Sequence, residues 1–368
     1  MTKQRMTWAD AARGAAILLV LIGHSCPPPY TTAFIYAFHM PLFFILSGLF
    51  LQLDAPLKTL WWKKVRTLLV PFVIYNLVLL CSDWCIVALS PNQHTPVDIP
   101  ARLLGTLTGW RSGSWSSSLW FLPALFTAQW LVIGCHKLGQ RLGEHSSTIT
   151  VALWVLLSVV GVAYCLWVGT ALPMCLDAAL VATGFLLMGR QWLHRGLSGY
   201  AGWYWVVTAI VFAVSAIDNF HSLGGGDHHV DMSTDTLGHP FQFYIAAAAG
   251  SMLLIRCCQL LQESDAPLGP QGRLIRQKLS PLNFPLSTLN AFLQWAGRNS
   301  LAIYCLHRIP MNLGIAFTNL VPWLNEPTAS SQATRSLLLV LFTLLLLLPA
   351  DLIVNRWFPW TLGKKVNS

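Results

Sequence analysis

The sequence predicts an all-α integral membrane protein, a bundle of about ten transmembrane helices with both termini in the cytoplasm. Three observations carry this reading. Hydrophobic residues make up 55% of the 368 residues and charged residues 10%, against about 25% charged in a typical soluble domain. Apolar stretches long enough to cross a bilayer recur from end to end. The basic residues, in excess at 23 Lys and Arg against 14 Asp and Glu, fall on alternate loops. This composition excludes a disordered chain, a soluble enzyme with an ordinary surface and a small disulfide-built domain.

The predicted spans are 9–26, 33–53, 68–90, 118–136, 148–167, 173–190, 201–217, 240–261, 300–321 and 336–355. Lys3 and Arg5 precede the first, as in a signal peptide. Arg13 and His24 interrupt its apolar run, however, and no small-residue cleavage site follows, so it reads as a permanent helix. The second span follows Pro27, Pro28 and Pro29, and Pro41 is expected to kink it. With the N-terminus inside, Lys3, Arg5, Lys58, Lys63, Lys64, Arg66, Lys137, Arg141, Arg190, Arg195, Arg273, Arg276, Lys278, Arg356, Lys364 and Lys365 all face the cytoplasm. The outer loops keep only Arg102, Arg111 and Arg335, the orientation that the positive-inside rule favours. The inner segment 262–299 contains Pro267, Pro270, Pro281 and Pro285 and is not expected to be one helix. Its part Leu286–Ala296 is suited to lie along the membrane surface. No internal repeat and no separate soluble domain stand out, so residues 1–368 read as a single membrane-embedded domain.

The basic excess lacks any run of Lys and Arg interleaved with aromatics, so it reads as positive-inside charge and not as a nucleic-acid surface. Nine cysteines lie within or at the ends of apolar runs, and no loop carries a spaced set. Buried free thiols are expected, not disulfides or a zinc site. The outer loop holding His221, Asp227, His228, His229, Asp231 and His239 could attract a divalent metal. Without rigid spacing it reads as a solvated acidic loop, and no metal site is assigned. Asp83 and Asp177, near outer span ends, read as exposed.

Arg13 and His24 are eleven residues apart, about 20° past three full helical turns, so both fall on one face of the first helix. Asp10 precedes Arg13 by three residues and is placed to hold its guanidinium. An ionisable side chain inside a span costs at least about 2.5–3.5 kcal/mol, which points to a protein interior or a wet cavity. Arg13 can instead snorkel to the interface and His24 can be a packing histidine. His39, on the second helix, falls at a similar depth. Two histidines at one depth suit proton handling, whereas two ligands are too few for a convincing metal site.

Five motifs in order resemble the membrane acyltransferase-3 family: Asp10-x-x-Arg13-Gly14, Arg13 and His24 with ten residues between them, Phe38-His39-Met40-Pro41-Leu42-Phe43-Phe44 running to Ser47-Gly48, Ser118 to Leu125, and Gly297-Arg298-Asn299-Ser300 to His307. The wording is most similar to the sugar O-acetylase branch, such as fucose O-acetylases. The resemblance implies transfer of an acyl group, usually acetyl, from cytoplasmic acetyl-CoA to a hydroxyl of an envelope glycan or glycolipid in the bacterial inner membrane. It implies that His24 is the catalytic histidine and that Arg13 is essential. The family's Arg-x-x-Arg pair appears as Lys63-x-x-Arg66, and a lysine cannot bind phosphate bidentately. Many relatives carry a second, hydrolase-like domain. None is evident here, so the membrane domain would transfer alone or pass the acyl group to a glycan-assembly partner.

Within that frame Lys63, Arg66 and Arg13 would guide the CoA phosphates, joined by Arg298 unless it merely obeys the charge bias. His24 would take the proton of the acceptor hydroxyl. His39, Asn299 and Ser300 are candidate oxyanion donors. Ser300, Tyr304, His307 and Met311 share a face by spacing, either as a site wall or as a polar seam between helices. Trp120 and Phe121 read either as interfacial aromatics or as a sugar-stacking platform. A transporter or flippase of a lipid-linked sugar would also use intramembrane charges and broken helices, but such folds often show two related halves.

Overall fold

The computed structural model describes residues 6–89, 97–111, 118–143, 146–192, 199–265 and 280–364. The chain is all-α: α1 (Thr7–Gly23), α2 (Pro29–Tyr36), α3 (His39–Leu49), α4 (Leu57–Lys64), a π turn (Val65–Leu69), α5 (Val70–Leu89), α6 (Ile99–Thr108), α7 (Phe121–Arg141), α8 (Ser146–Trp167), α9 (Leu176–Trp192), α10 (Gly202–Ser222), α11 (Pro240–Asp265), α12 (Ser280–Arg298), α13 (Ser300–Leu306), α14 (Arg308–Asn319) and α15 (Ala329–Trp357). Among the described residues seven helical segments are long and apolar enough to span a bilayer: 29–49, 57–88, 147–167, 173–191, 202–222, 240–263 and 329–357. The protein is therefore a multi-pass membrane protein.

The other three expected spans are also helical, but they are shorter or more polar. The α1 helix has 17 residues. The α7 helix carries Gln129, His136, Lys137 and Gln140. The stretch 300–319 divides into α13 and α14 at His307. Lys3, Arg5, Arg195, Arg273, Arg276, Lys278, Lys365, Pro267 and Pro270 lie outside the described residues.

Proline sets two breaks. The second span does not kink at Pro41. It breaks earlier, at Ala37–Phe38, where Phe38 takes φ −146°. A proline ring clashes with the carbonyl four residues before it, here that of Ala37, so Pro41 sits in the first turn of a new helix that begins at His39. The π turn Val65–Leu69 precedes Pro71 in the same way, widening the helix where the proline N–H is missing.

The α1 helix is the axis of the bundle, touching α2, α3, α11, α12, α13 and α15. It meets α12 backbone to backbone. A methyl group at Gly14 would run into the Leu293 carbonyl, and one at Gly297 into the Asp10 carbonyl. Leu286–Ala296 therefore packs against α1 and does not lie alone on the membrane surface. Gly48 and Gly189 allow the same close approach between α3 and α9.

The loops at the far end from Arg13 are tied by a buried ionic node. Arg111 contacts Asp177 at 2.7 Å and Asp235 at 3.6 Å, and donates to the Met232 carbonyl at 3.3 Å. Asp177 also accepts from the backbone N–H groups of Leu172 and Ala178. Asp177 is thus fully buried, not exposed, because three donors replace its water. Asp83, paired with Arg102 at 3.0 Å, is likewise held in a contact. The loop 223–239 departs from the solvated reading: Val230, Met232 and Leu237 are buried in it, and Asp231 bridges to Thr236. All nine cysteines are free thiols. Cys26, Cys81, Cys85 and Cys257 are exposed rather than buried; Cys26 stands in the turn between α1 and α2, and the other three sit on the outside of apolar helices, which weakly polar thiols suit.

Candidate active site

Arg13 sits on α1 with Nη1 3.3 Å from Oδ1 of Asp10, the pairing expected from their spacing. Its guanidinium lies over the Phe50 ring, 4.8 Å from the centroid. Together with Lys64, Arg13 lines a cavity of about 540 Å³ whose other walls are largely apolar, among them Ile17, Phe43, Phe121 and Leu125. Gln129, Ser300 and Tyr304 supply polar points on that wall.

From the wall inward, three rings are stacked. Tyr304 and His307 have centroids 6.1 Å apart at 28°, and His307 and His24 5.3 Å apart at 24°. Arg13 and His24 therefore share one neighbour: α13 meets Arg13 at its start and leads to His24 through His307. Tyr304 is fixed by its own hydrogen bonds. Its hydroxyl donates to the Ser118 carbonyl at 2.6 Å and accepts the Phe121 N–H at 3.3 Å. These bonds tie the Ser118–Leu125 motif to the Gly297–His307 motif.

The histidine tautomers follow from geometry. The His307 Nδ1 lies 2.8 Å from the Tyr304 carbonyl, and the His39 Nδ1 2.8 Å from the Ile35 carbonyl. A carbonyl only accepts, so each Nδ1 carries the proton and each neutral ring offers a lone pair at Nε2. The His307 Nε2 is buried with no partner. A neutral His39 thus presents an acceptor, which suits a substrate hydroxyl better than an oxyanion. His24 is half-buried at the end of α1. His39, His229, His307 and Arg308 all lie within electrostatic reach of it.

The remaining candidates divide. Ser300 lines the cavity, while the amide of Asn299 is spent on the Trp295 carbonyl. Trp120 and Phe121 are buried, so neither stands at the lipid–water boundary. Phe121 packs on Phe43, Phe44 and Tyr304. Lys63, Arg66 and Arg298 are exposed and outside the cavity wall, and Lys63 reaches Gln52 at 3.4 Å. Lys64, one residue on from the motif position, lines the cavity. Among the described residues no group of three His, Cys, Asp or Glu could hold a metal ion.

The sequence reading missed Lys64, Tyr36, His229 and Arg308. Arg308 had a signal, since an arginine inside a span needs a reason. His229 had none. It reaches the site only because its loop folds back, meeting Tyr36 edge-on with ring centroids 4.2 Å apart, and Tyr36 in turn meets His39 edge-on at 4.9 Å.

The fold defines a multi-pass membrane bundle whose polar residues gather inside, around a cavity and a histidine stack. Residues 6–354 match the acyltransferase-3 family, described as an acyltransferase domain, and the chain belongs to that family. It matches no curated protein and no solved structure.

Proposed function

We propose that this protein is an O-acyltransferase that moves an acyl group, acetyl by family habit, from cytoplasmic acyl-CoA to a hydroxyl of an envelope glycan or glycolipid at a bacterial inner membrane. The observation that carries this reading is a basic-mouthed, apolar cavity that ends on the Tyr304–His307–His24 stack. A thin pantetheine arm suits such a shape, with Arg13 and Lys64 attracting its phosphates. Asp10 holds Arg13 in place. The exposed Lys63, Arg66 and Arg298 would act on the nucleotide outside the wall.

In the reaction, the acceptor hydroxyl oxygen attacks the thioester carbonyl carbon while His24 takes its proton. The new C–O bond forms and the carbonyl oxygen becomes an oxyanion, for which the Ser300 hydroxyl is a candidate donor. Collapse breaks the C–S bond, and the thiolate leaves with the proton from His24. His307 stacks on His24 and orients its ring, and the lone pairs on His307 and His39 can receive acceptor hydroxyls. Phe121 shapes the cavity wall, and buried Trp120 meets it edge-on at 6.3 Å.

The test supplies radiolabelled acetyl-CoA to membranes containing wild type or His24→Ala. Label in extracted glycan that depends on His24 supports the reading. Equal labelling by both proteins removes His24 as the base.

A further inference from the structure

Most buried amides and hydroxyls within these helices are hydrogen-bonded. Asn76 donates to the Phe72 carbonyl at 2.8 Å, Thr208 to that of Tyr204 at 2.8 Å and Asn219 to that of Leu237 at 3.1 Å. Gln129 on α7 departs from this pattern. It keeps only 4% exposure, and its Oε1 is buried without a hydrogen-bond partner. No side-chain hydrogen bond of Gln129 is present among the described residues. An amide withdrawn from water and left unpaired is costly, so its presence calls for a partner that arrives from elsewhere.

Helical spacing puts Gln129 on the wall of the 540 Å³ cavity. Leu122, Leu125 and Gln129 follow one another at three and four residues, the spacing of a single helical stripe, and all three line that cavity. The stripe begins beside Phe121, whose N–H meets the Tyr304 hydroxyl at the stack. Gln129 stands eight residues farther along α7, about 12 Å from that end. At this position another leucine would have completed the apolar wall by packing alone. Other polar groups on the wall are already engaged: Arg13 with Asp10, the Thr67 hydroxyl with the Lys63 carbonyl at 2.9 Å, and the Tyr304 hydroxyl with Ser118 and Phe121. Among the described residues, Gln129 Oε1 is the buried unpartnered atom that belongs to this wall.

A side-chain amide complements another amide. It donates through Nε2 to a carbonyl oxygen and accepts an N–H at Oε1. The pantetheine arm of an acyl-CoA carries secondary amides separated by alkyl segments. One amide set among Ile17, Phe43 and Leu125 matches that alternation.

We propose that Gln129 is a specificity residue for the donor arm, pairing with a secondary amide of pantetheine. This rests on the acyl-CoA reading of the cavity. The glutamine is satisfied only when the arm is in place, so the cavity favours an amide-bearing arm over a plain alkyl chain.

The full chain in nanodiscs, without acceptor, would be titrated calorimetrically with coenzyme A and with adenosine 3′-phosphate 5′-diphosphate, the same nucleotide without the arm. Wild type is expected to bind coenzyme A more tightly. Gln129→Met, apolar and similar in volume, should weaken coenzyme A about tenfold, the usual consequence of leaving a buried amide unpaired. It should leave the armless nucleotide unchanged. Without ligand, Gln129→Met should melt no lower than wild type, because it removes an unpaired polar group from the interior. Unchanged coenzyme A binding by Gln129→Met overturns the proposal. So does an equal weakening of both ligands, or a lower melt without ligand, which would make the glutamine structural. If Gln129→Met is not monodisperse, Gln129→Asn, which withdraws the amide by one carbon, decides by the same comparison of the two ligands. A wild type that binds coenzyme A no better than the armless nucleotide takes the arm out of the cavity, and the donor reading falls together with this one. A wild-type preference for coenzyme A that persists in the variant sinks the role of Gln129 alone.

Discussion

The outer helices and the inner helices of this bundle obey opposite rules. In the spans 147–167, 202–222 and 329–357 only 22%, 17% and 22% of the most apolar window is buried in protein, whereas in 29–49 and 173–191 the share is 72% and 61%. The first group presents Val214, Leu345 and Leu352 outward and needs only to be apolar. The second group, with α1, α7 and α13, holds glycine contacts, charges and the histidine stack. Helices pressed together in lipid gain from close packing and hydrogen bonds rather than from apolar surface. The segments too short or too polar to span alone, α1, α7 and α13–α14, carry Arg13, Phe121, Ser300 and Tyr304, while His39 and Lys64 come from the long spans.

The largest expected effect is on chemistry. His24→Ala should reduce acetyl transfer to background, with the protein still monodisperse in detergent. Normal turnover would place the active histidine outside the inner group. Next comes assembly: Gly297→Leu has no room against the Asp10 carbonyl and should abolish a folded peak in size-exclusion chromatography. Gly134→Leu, where nothing lies near, should elute as wild type does.

The ionic node follows. Arg111→Gln leaves buried Asp177 without its cation, and removing one partner of a buried pair typically costs about 3–5 kcal/mol. A thermal melt in detergent should show a fall of several degrees. A smaller effect concerns Asp235 in the loop 223–239. Burial, then the neighbouring Asp177 carboxylate, pushes its pKa up to about 6. A raised folded value means the folded state binds the proton more readily. The stabilisation is full below the ordinary carboxylate range and is lost as pH rises through about 6. In wild type this group should thus add thermal stability on going from pH 7.5 to pH 5, and Asp235→Asn should flatten that part of the profile. An unchanged slope would remove Asp235 as its source. The smallest effect belongs to the shell: Val214→Ala, exposed on α10, should shift stability by no more than about 0.5 kcal/mol, measured by the same melt.

The shell was the more legible half. Long apolar runs announce α8, α10 and α15 without help from packing. Asp10, Arg13 and His24 were legible too, because helical spacing alone puts them on one side of α1. What stayed hidden depends on contacts between distant segments. Asp177 looks exposed until Arg111 and the backbone around it close over the carboxylate. His229 reads as loop until that loop folds onto Tyr36. Lys64 and not Lys63 lines the cavity because neighbouring helix positions face about 100° apart, and the motif spacing does not say which of the two lysines turns inward.

The π turn at Val65–Leu69 absorbs one extra residue within a helix. Deleting a single residue between 65 and 69 would restore regular α-helical hydrogen bonding and leave α4 and α5 at nearly their present bearing. Lys64 would stay on the cavity. Deleting a residue from the regular helix of α5 instead would turn everything before it by about 100° and swing Lys64 away. The wide turn is thus the place where this span can change length without changing which side chain greets the donor.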